Sequence, residues 1–178
     1  MRPLLHQFDY RLTAQVQQWP DWVQPIMLFA TLIGQPIFTV GIGAAAVGFG
    51  WGRSNRGLVY SGLIVMGTFL AGSVLKLLFA RDRPITEYVA NMRFDTFSMP
   101  SGHAVGATVA YGFVAYLLWQ MLPQPYSYIA AILLSMVILL IGISRIYLGA
   151  HFPSDVFIGW LLGLIGLGII IFVIQPKL

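Results

Sequence analysis

The sequence predicts an all-α fold, a polytopic bundle of membrane-spanning helices, on three observations. Only 9% of the 178 residues are charged, whereas an ordinary soluble domain is about one-quarter charged. The hydrophobic share is 58%, more apolar surface than one small soluble core can hide. The apolar residues also gather into runs of the ~20-residue length that crosses the hydrocarbon layer as a helix. These runs are too long and too uniform for the alternating strands of an outer-membrane barrel.

Residues 1–35 come first and are the least regular. Leu5, Phe8, Leu12, Val16 and Trp19 recur at spacings of three and four with polar residues between them, the stripe of an amphipathic helix lying in the membrane interface. Trp19, Pro20 and Trp22 close it near headgroup depth, where indole rings settle. Residues 23–34 are apolar but short. They read either as a re-entrant or interfacial helix or as a sixth span continuous with the apolar run that begins at residue 36. The polar stretch precedes any apolar one, so no cleavable signal peptide is expected.

Five spans come next, roughly 36–52, 57–79, 103–122, 127–148 and 153–174. The second is apolar from Leu58 to Leu75 and meets its first charge at Lys76. The fifth starts at Pro153, a residue suited to the first turn of a helix. No repeat, low-complexity tract or linker divides the chain, and residues 1–178 are expected to form one domain. Gly159 and Gly163 form a G-x-x-x-G that serves either a dimer or tight packing within one bundle. The oligomeric state stays open.

Charges at the ends of spans are costly and mark function. Because successive spans alternate direction, the end of the second, the start of the third, the end of the fourth and the start of the fifth share one side. Lys76, Arg81, Asp82, Arg83, His103, Arg145, His151 and Asp155 all fall there. The other side has Arg53, Arg56 and the tail Lys177, which the positive-inside rule makes cytoplasmic. The net charge of +4 is thus read as attraction to an anionic headgroup, with no nucleic-acid partner. With no cysteine, thiolate catalysis, disulfides and cysteine-ligated metal are excluded.

Three stretches on the converging side carry chemistry. Lys76 and Arg83 are seven residues apart, within about 20° of one stripe if the helix continues that far. By themselves they also fit two basic side chains snorkelling to headgroups. In Pro100-Ser101-Gly102-His103, Ser101 is a favoured N-cap, Gly102 lets an anion approach the backbone, and His103 sits in the first turn. An ordinary capped helix start would look the same. In Ser144-Arg145 with His151 and Asp155, a carboxylate four residues after a histidine is placed to accept a hydrogen bond from one ring nitrogen and leave the other free. A structural His–Asp tie is the alternative. Together the stretches give two histidines, an orienting carboxylate and three cations beside a helix N-terminus, which suits phosphoryl transfer. A metal mechanism would want clustered carboxylates or several histidines; none cluster here, and no metal or other cofactor is expected.

Lys76-(six residues)-Arg83-Pro84, Pro100-Ser101-Gly102-His103 and Ser144-Arg145-(five residues)-His151-(three residues)-Asp155 resemble, in order and spacing, the three signature motifs of the type 2 phosphatidic acid phosphatase family. The resemblance covers about residues 34–170. It implies that His151 attacks phosphorus and forms a phosphohistidine, that Asp155 orients it, and that His103 protonates the leaving lipid oxygen. Lys76, Arg83, Arg145, Ser101 and Gly102 would hold the phosphate oxygens. The implied partner is a phosphorylated membrane lipid: undecaprenyl pyrophosphate, phosphatidylglycerol phosphate, phosphatidic acid or a lipid A phosphate. The implied location is the bacterial inner membrane, with the site facing the periplasm or exterior. Soluble haloperoxidases resemble the family in their anion pocket, but the hydropathy argues against one. A lipid carrier or flippase that binds headgroups without hydrolysis is the rival reading, and an idle helical scaffold the blandest. Residues 85–99, with Glu87, Tyr88, Asn91 and Arg93, are expected to rim the pocket.

Overall fold

The structure, a computed structural model, describes residues 2–92 and 96–175. Its helices are α1 (Arg2–Gln17), α2 (Gln24–Ile33), α3 (Pro36–Gly52), α4 (Arg56–Phe79), α5 (Glu87–Ala90), α6 (Gly102–Met121), α7 (Tyr126–Tyr147) and α8 (Pro153–Ile169). A short 3₁₀ turn, Asp21–Val23, precedes α2, and a π turn, Ile170–Ile174, extends α8. Among the described residues there is no strand. Five stretches are long and apolar enough to cross a membrane: Asp21–Gly52, Arg56–Phe79, Gly102–Met121, Tyr126–Tyr147 and Pro153–Phe172. Leu70, Leu77, Ile132, Leu133, Phe157 and Leu164 stand exposed on their outer faces. The chain is an integral membrane protein, and the bilayer covers what a soluble fold would have to bury.

The first span resolves the ambiguity of residues 23–34. At 1.5 Å per residue, the ten residues of α2 reach only about 15 Å, too short to cross alone. The helix stops at Gly34 because Pro36 drives Gln35 into extended backbone (φ −63°, ψ 150°). After this break α3 resumes with Pro36 in its first turn. The two make one interrupted span, so the described residues hold five spans. Tyr111 of α6 donates to Ile33 O at 2.6 Å, satisfying a carbonyl freed by the break.

α6 is the central helix. Half of its apolar window is buried, against 28–33% in the other spans. Its sequence explains the position: Ala104, Gly106, Ala107 and Ala110 let neighbouring backbones approach closely. α8 answers with Gly159 and Gly163. A methyl on Gly159 would lie 2.8 Å from Ala104 Cβ and 2.9 Å from Ser101 O, and one on Gly163 2.9 Å from Val105 O. The G-x-x-x-G therefore packs inside the bundle.

α1 forms as expected but with a different face inward. Asp9, Thr13 and Val16 are buried and Leu12 partly so, while Leu4, Leu5 and Phe8 stay exposed. The helix turns this way because Asp9 finds its partners on α8 and at Arg81. α1 thus lies against the same end of the bundle as the converging charges, its exposed leucines and Phe8 left for the interface. Lys177 lies outside the described residues.

Candidate functional site

At that end of the bundle a cleft of about 960 Å³ opens between α2, α4, α5, α6 and α7. Of the eight residues singled out in the sequence, Lys76, Arg83, Gly102, His103, Arg145 and His151 line it. Asp155 and Ser101 are fully buried and do not line it. Thr31, Phe69, Asp82, Tyr88, Thr96 and Phe97 are also part of the wall.

Lys76 and Arg83 reach the cleft by a route other than a shared helical stripe. α4 ends at Phe79, where Ala80 takes a left-handed conformation (φ 43°) and donates to Lys76 O at 2.9 Å. Pro84 disfavours helix at Arg83, and the chain runs without helix to Thr86. Lys76 Nζ donates to Phe97 O at 2.8 Å. Arg83 braces two loops: Nε donates to Thr96 O at 2.6 Å, Nη2 to Thr96 Oγ1 at 2.9 Å and Nη1 to Ala150 O at 2.9 Å. Its Nη1 also lies 3.3 Å from His151 Nε2.

Arg145 is buried with neutral hydrogen-bond partners, Thr31 Oγ1 of α2 and, at 3.2 Å, Tyr88 OH of α5. Its Nε has no partner among the described residues. A buried cation without a facing carboxylate is costly, and this one is held by hydroxyls that leave its charge uncompensated.

His151 comes after a tight turn whose Gly149 has φ +67°, a conformation that favours glycine. The turn is tied down by Ala150 N and His151 N donating to Arg145 O at 3.0 and 3.1 Å. Thr86 Oγ1 also donates to Gly149 O at 3.1 Å. Burial pushes the His151 imidazole well below its ordinary pKa, and the positive charges of Arg145, Arg83 and Lys76 push it the same way. A backbone hydrogen bond with Ser98 acts in the opposite sense. The ring is therefore held neutral near pH 7.

Asp155 caps α8, accepting from Phe152 N at 2.9 Å. Its Oδ2 stands 3.6 Å from His151 Nδ1, beyond hydrogen-bond range. The expected His–Asp hydrogen bond is thus replaced by a closely placed charge, because Phe152 N holds Oδ2 and Arg81 Nη1 holds Oδ1 at 2.7 Å. Ser101 occupies the N-cap of α6 but makes no capping bond with its side chain. Its Oγ is buried without a partner among the described residues, while its N donates to Asp155 O at 3.0 Å. This last bond pins the starts of α6 and α8 together. At Gly102 a methyl would meet only Phe69, at 3.7 Å, so the glycine keeps the first turn of α6 open rather than relieving a clash.

The rim differs from expectation. Tyr88, Met92, Thr96 and Phe97 face the cleft, but Glu87 and Asn91 line a separate groove with Gln17 and Gln24. Arg93 and Asp95 lie outside the described residues. Sequence reasoning missed Thr31, an inconspicuous hydroxyl in an apolar run. It also gave no role to Asp9 or Arg81. The signal for Asp9 was its place one residue beyond Phe8 on an apolar stripe, and for Arg81 the doubled Arg-Asp-Arg before Pro84.

Comparison with known proteins gives a consistent answer. The chain is 35% identical over 151 residues to phosphatidylglycerophosphatase B of Bacillus subtilis, covering 81% of this chain and 71% of that protein. It is 30% identical over 171 residues to the putative undecaprenyl-diphosphatase YbjG of Escherichia coli, covering 92% and 81% respectively. Its fold matches the crystal structure of the transmembrane PAP2 type phosphatidylglycerolphosphate phosphatase from Bacillus subtilis with a TM-score of 0.77 at 29% identity, over 94% of this chain and 84% of that one. Aquifex aeolicus LpxE shares the fold at a TM-score of 0.64 and 19% identity, over 92% and 94% of the two chains. The family described as the PAP2 superfamily matches residues 57–178, the stretch that supplies every cleft cation and both cleft histidines, and the chain belongs to that superfamily.

Proposed function

We propose that this chain, a phosphoric ester hydrolase by family, removes phosphate from a membrane lipid through a phosphohistidine on His151, without a metal. One observation carries the reading: a single cleft at the membrane end gathers two histidines and three cations, one of them the buried Arg145, whose partners among the described residues are neutral. His151 Nε2 attacks phosphorus as a neutral imidazole while the bond to the lipid oxygen breaks and His103 gives that oxygen its proton. Water then attacks the phosphohistidine, His103 takes up the water's proton, and inorganic phosphate leaves. Lys76, Arg83 and Arg145 balance charge on the equatorial oxygens. The Gly102 amide supplies a neutral donor at the first turn of α6, with the Ser101 hydroxyl buried behind the cleft wall. Asp155 offsets the positive charge that builds on His151.

Phe69, Leu77 and Pro36 give the cleft an apolar wall, and Leu77 continues it to the exposed outer face of α4, as a lipid tail requires. The relatives' names favour phosphatidylglycerol phosphate or a polyprenyl pyrophosphate as substrate. Location in a bacterial inner membrane with the cleft on the outer face is supported by the charge of the opposite loop, Arg53 and Arg56. Two variants test the roles. His151→Ala should abolish turnover of both a lipid phosphate and p-nitrophenyl phosphate. His103→Ala should lose the lipid substrate but keep more of the aryl ester, whose leaving group needs no acid. Lipid hydrolysis surviving in His151→Ala rejects the mechanism, and a carrier that only binds headgroups would release no phosphate at all.

A further inference from the structure

Asp9 is fully buried on a helix whose Leu5, Phe8 and Tyr10 are exposed. A carboxylate stripped of water in this way is costly unless charge and hydrogen bonds replace its hydration. Its partners all belong to Arg81 or to the first turn of α8. Ser154 N donates to Oδ1 at 2.9 Å, Ser154 Oγ to Oδ2 at 2.7 Å, and Arg81 Nη2 to Oδ2 at 2.6 Å. The same guanidinium continues inward, its Nη1 donating to Ser154 Oγ at 2.6 Å and to Asp155 Oδ1 at 2.7 Å. It also sits 4.4 Å from the centroid of the Phe152 ring, which Tyr10 of α1 meets edge-on at 5.5 Å. α1 therefore grips the residues around the nucleophile with two consecutive side chains.

The order Asp9, Arg81, Asp155, His151 has an electrostatic consequence. Arg81 facing Asp155 alone would neutralise the carboxylate that must offset positive charge on His151. Asp9 sets a second negative charge on the far side of the guanidinium, so Asp155 keeps its charge for the imidazole 3.6 Å away. Arg81 also fixes the rotation of that carboxylate, leaving Oδ2 toward His151. We propose that Asp9 is a positioning residue for phosphoryl transfer, setting the charge and orientation of Asp155 through Arg81 without touching substrate. The inference rests on His151 being the nucleophile.

The test uses the full chain purified in one detergent, with kcat and KM measured on a lipid phosphate and melting temperature measured in parallel. Asp9→Asn should lower kcat about 10- to 100-fold with KM little changed, the range seen when a group that orients a catalytic ligand is lost. Arg81→Gln should do the same, and the double variant should be no worse than the worse single one, as for residues acting in one unit. Leu12→Ala serves as the control, since it loosens α1 from the cluster that includes Ile146 of α7 and Val156 of α8 without entering the network. It should lower the melting temperature and leave kcat unchanged.

A wild-type kcat in Asp9→Asn overturns the proposal. So does an equal kcat loss in Leu12→Ala at equal melting temperature, which would make α1 merely structural. If Asp9→Asn does not fold, Arg81→Lys tests the same path, because lysine cannot span both carboxylates; wild-type kcat there is equally fatal. His151→Ala distinguishes the two levels. Turnover without His151 removes the mechanism itself, whereas an inactive His151→Ala beside a fully active Asp9→Asn removes only the role given to Asp9.

Discussion

Arg83→Lys separates two uses of one residue, as a charge near phosphate and as a brace between loops. Among the described residues Arg83 makes three directed bonds to oxygen, at Thr96 O, Thr96 Oγ1 and Ala150 O. Lysine keeps the charge but offers one nitrogen on a flexible stem, so it can replace one of the three and forfeits the other two. Hydrogen bonds from a charged group contribute roughly 1.5–3 kcal/mol each, or about 3–6 for the pair. Neighbouring bonds are not additive and this side chain is only half-buried, so about half of that, roughly 1.5–3 kcal/mol, is a fair expectation. At about 1.36 kcal/mol per decade, kcat/KM should fall about 10- to 150-fold. The assay is phosphate release from a lipid phosphate in detergent micelles, with melting temperature checked so that unfolded protein is not counted as slow enzyme. The fall should lie mostly in kcat, because the bond to Ala150 O positions the loop of His151, the proposed nucleophile. If Arg83→Lys works at nearly the wild-type rate, the bracing argument is wrong and the residue acts as charge alone.

The same geometry sets three further outcomes. The carboxylate of Asp155 is held by Arg81 and Phe152 N, so activity should persist in excess EDTA; complete loss restored by Mg²⁺ or Zn²⁺ would reject the metal-free reaction. Burial and three cations lower the His151 pKa, so the acid limb of kcat/KM should lie below the ordinary histidine range. Lys76→Gln removes one of those charges and should move the limb upward on the same substrate; a downward move would contradict the assignment. With no native cysteine, an impermeant thiol reagent outside intact cells should label Asn91→Cys but reach Ser54→Cys only after the membrane is opened, and the reverse pattern would put the cleft in the cytoplasm.

The spans and the cleft cations were legible because hydropathy and alternating direction need no tertiary knowledge. Lys76, Arg145 and His103 fall at span ends, and counting helices puts them on one side. What failed was local geometry. The shared stripe of Lys76 and Arg83 assumed a helix that Ala80 and Pro84 terminate first. The capping serine and the His–Asp hydrogen bond are each sound by propensity, yet neither bond forms: Phe152 N and Arg81 hold the two Asp155 oxygens, and Ser101 Oγ has no partner among the described residues. Asp155 answers to Arg81, across 74 residues, and Ser101 is set by its backbone bond to Asp155. Thr31 was invisible for a similar reason, since its importance lies in a contact with Arg145 across 114 residues. Periodicity finds faces, not the rotation of a helix about its axis. α1 shows the difference: the stripe was real, but one buried carboxylate turned Asp9 inward.

The glycine contact between α6 and α8 acts as a ruler. His103 rides on the first turn of one helix and Asp155 on the first turn of the other, and below them Gly159 rests on Ser101 O and Ala104. The separation of the groups proposed as acid and orienting carboxylate is therefore a backbone-to-backbone distance, the least compressible dimension a protein offers. His151 and Arg83 sit on loops that can breathe with the bilayer around them; this pair cannot without parting two helices. Bulk added at Gly163 would press on Thr108 and Val105, and the wedge would be felt at the cleft end of the bundle, where the two helix starts would be forced apart.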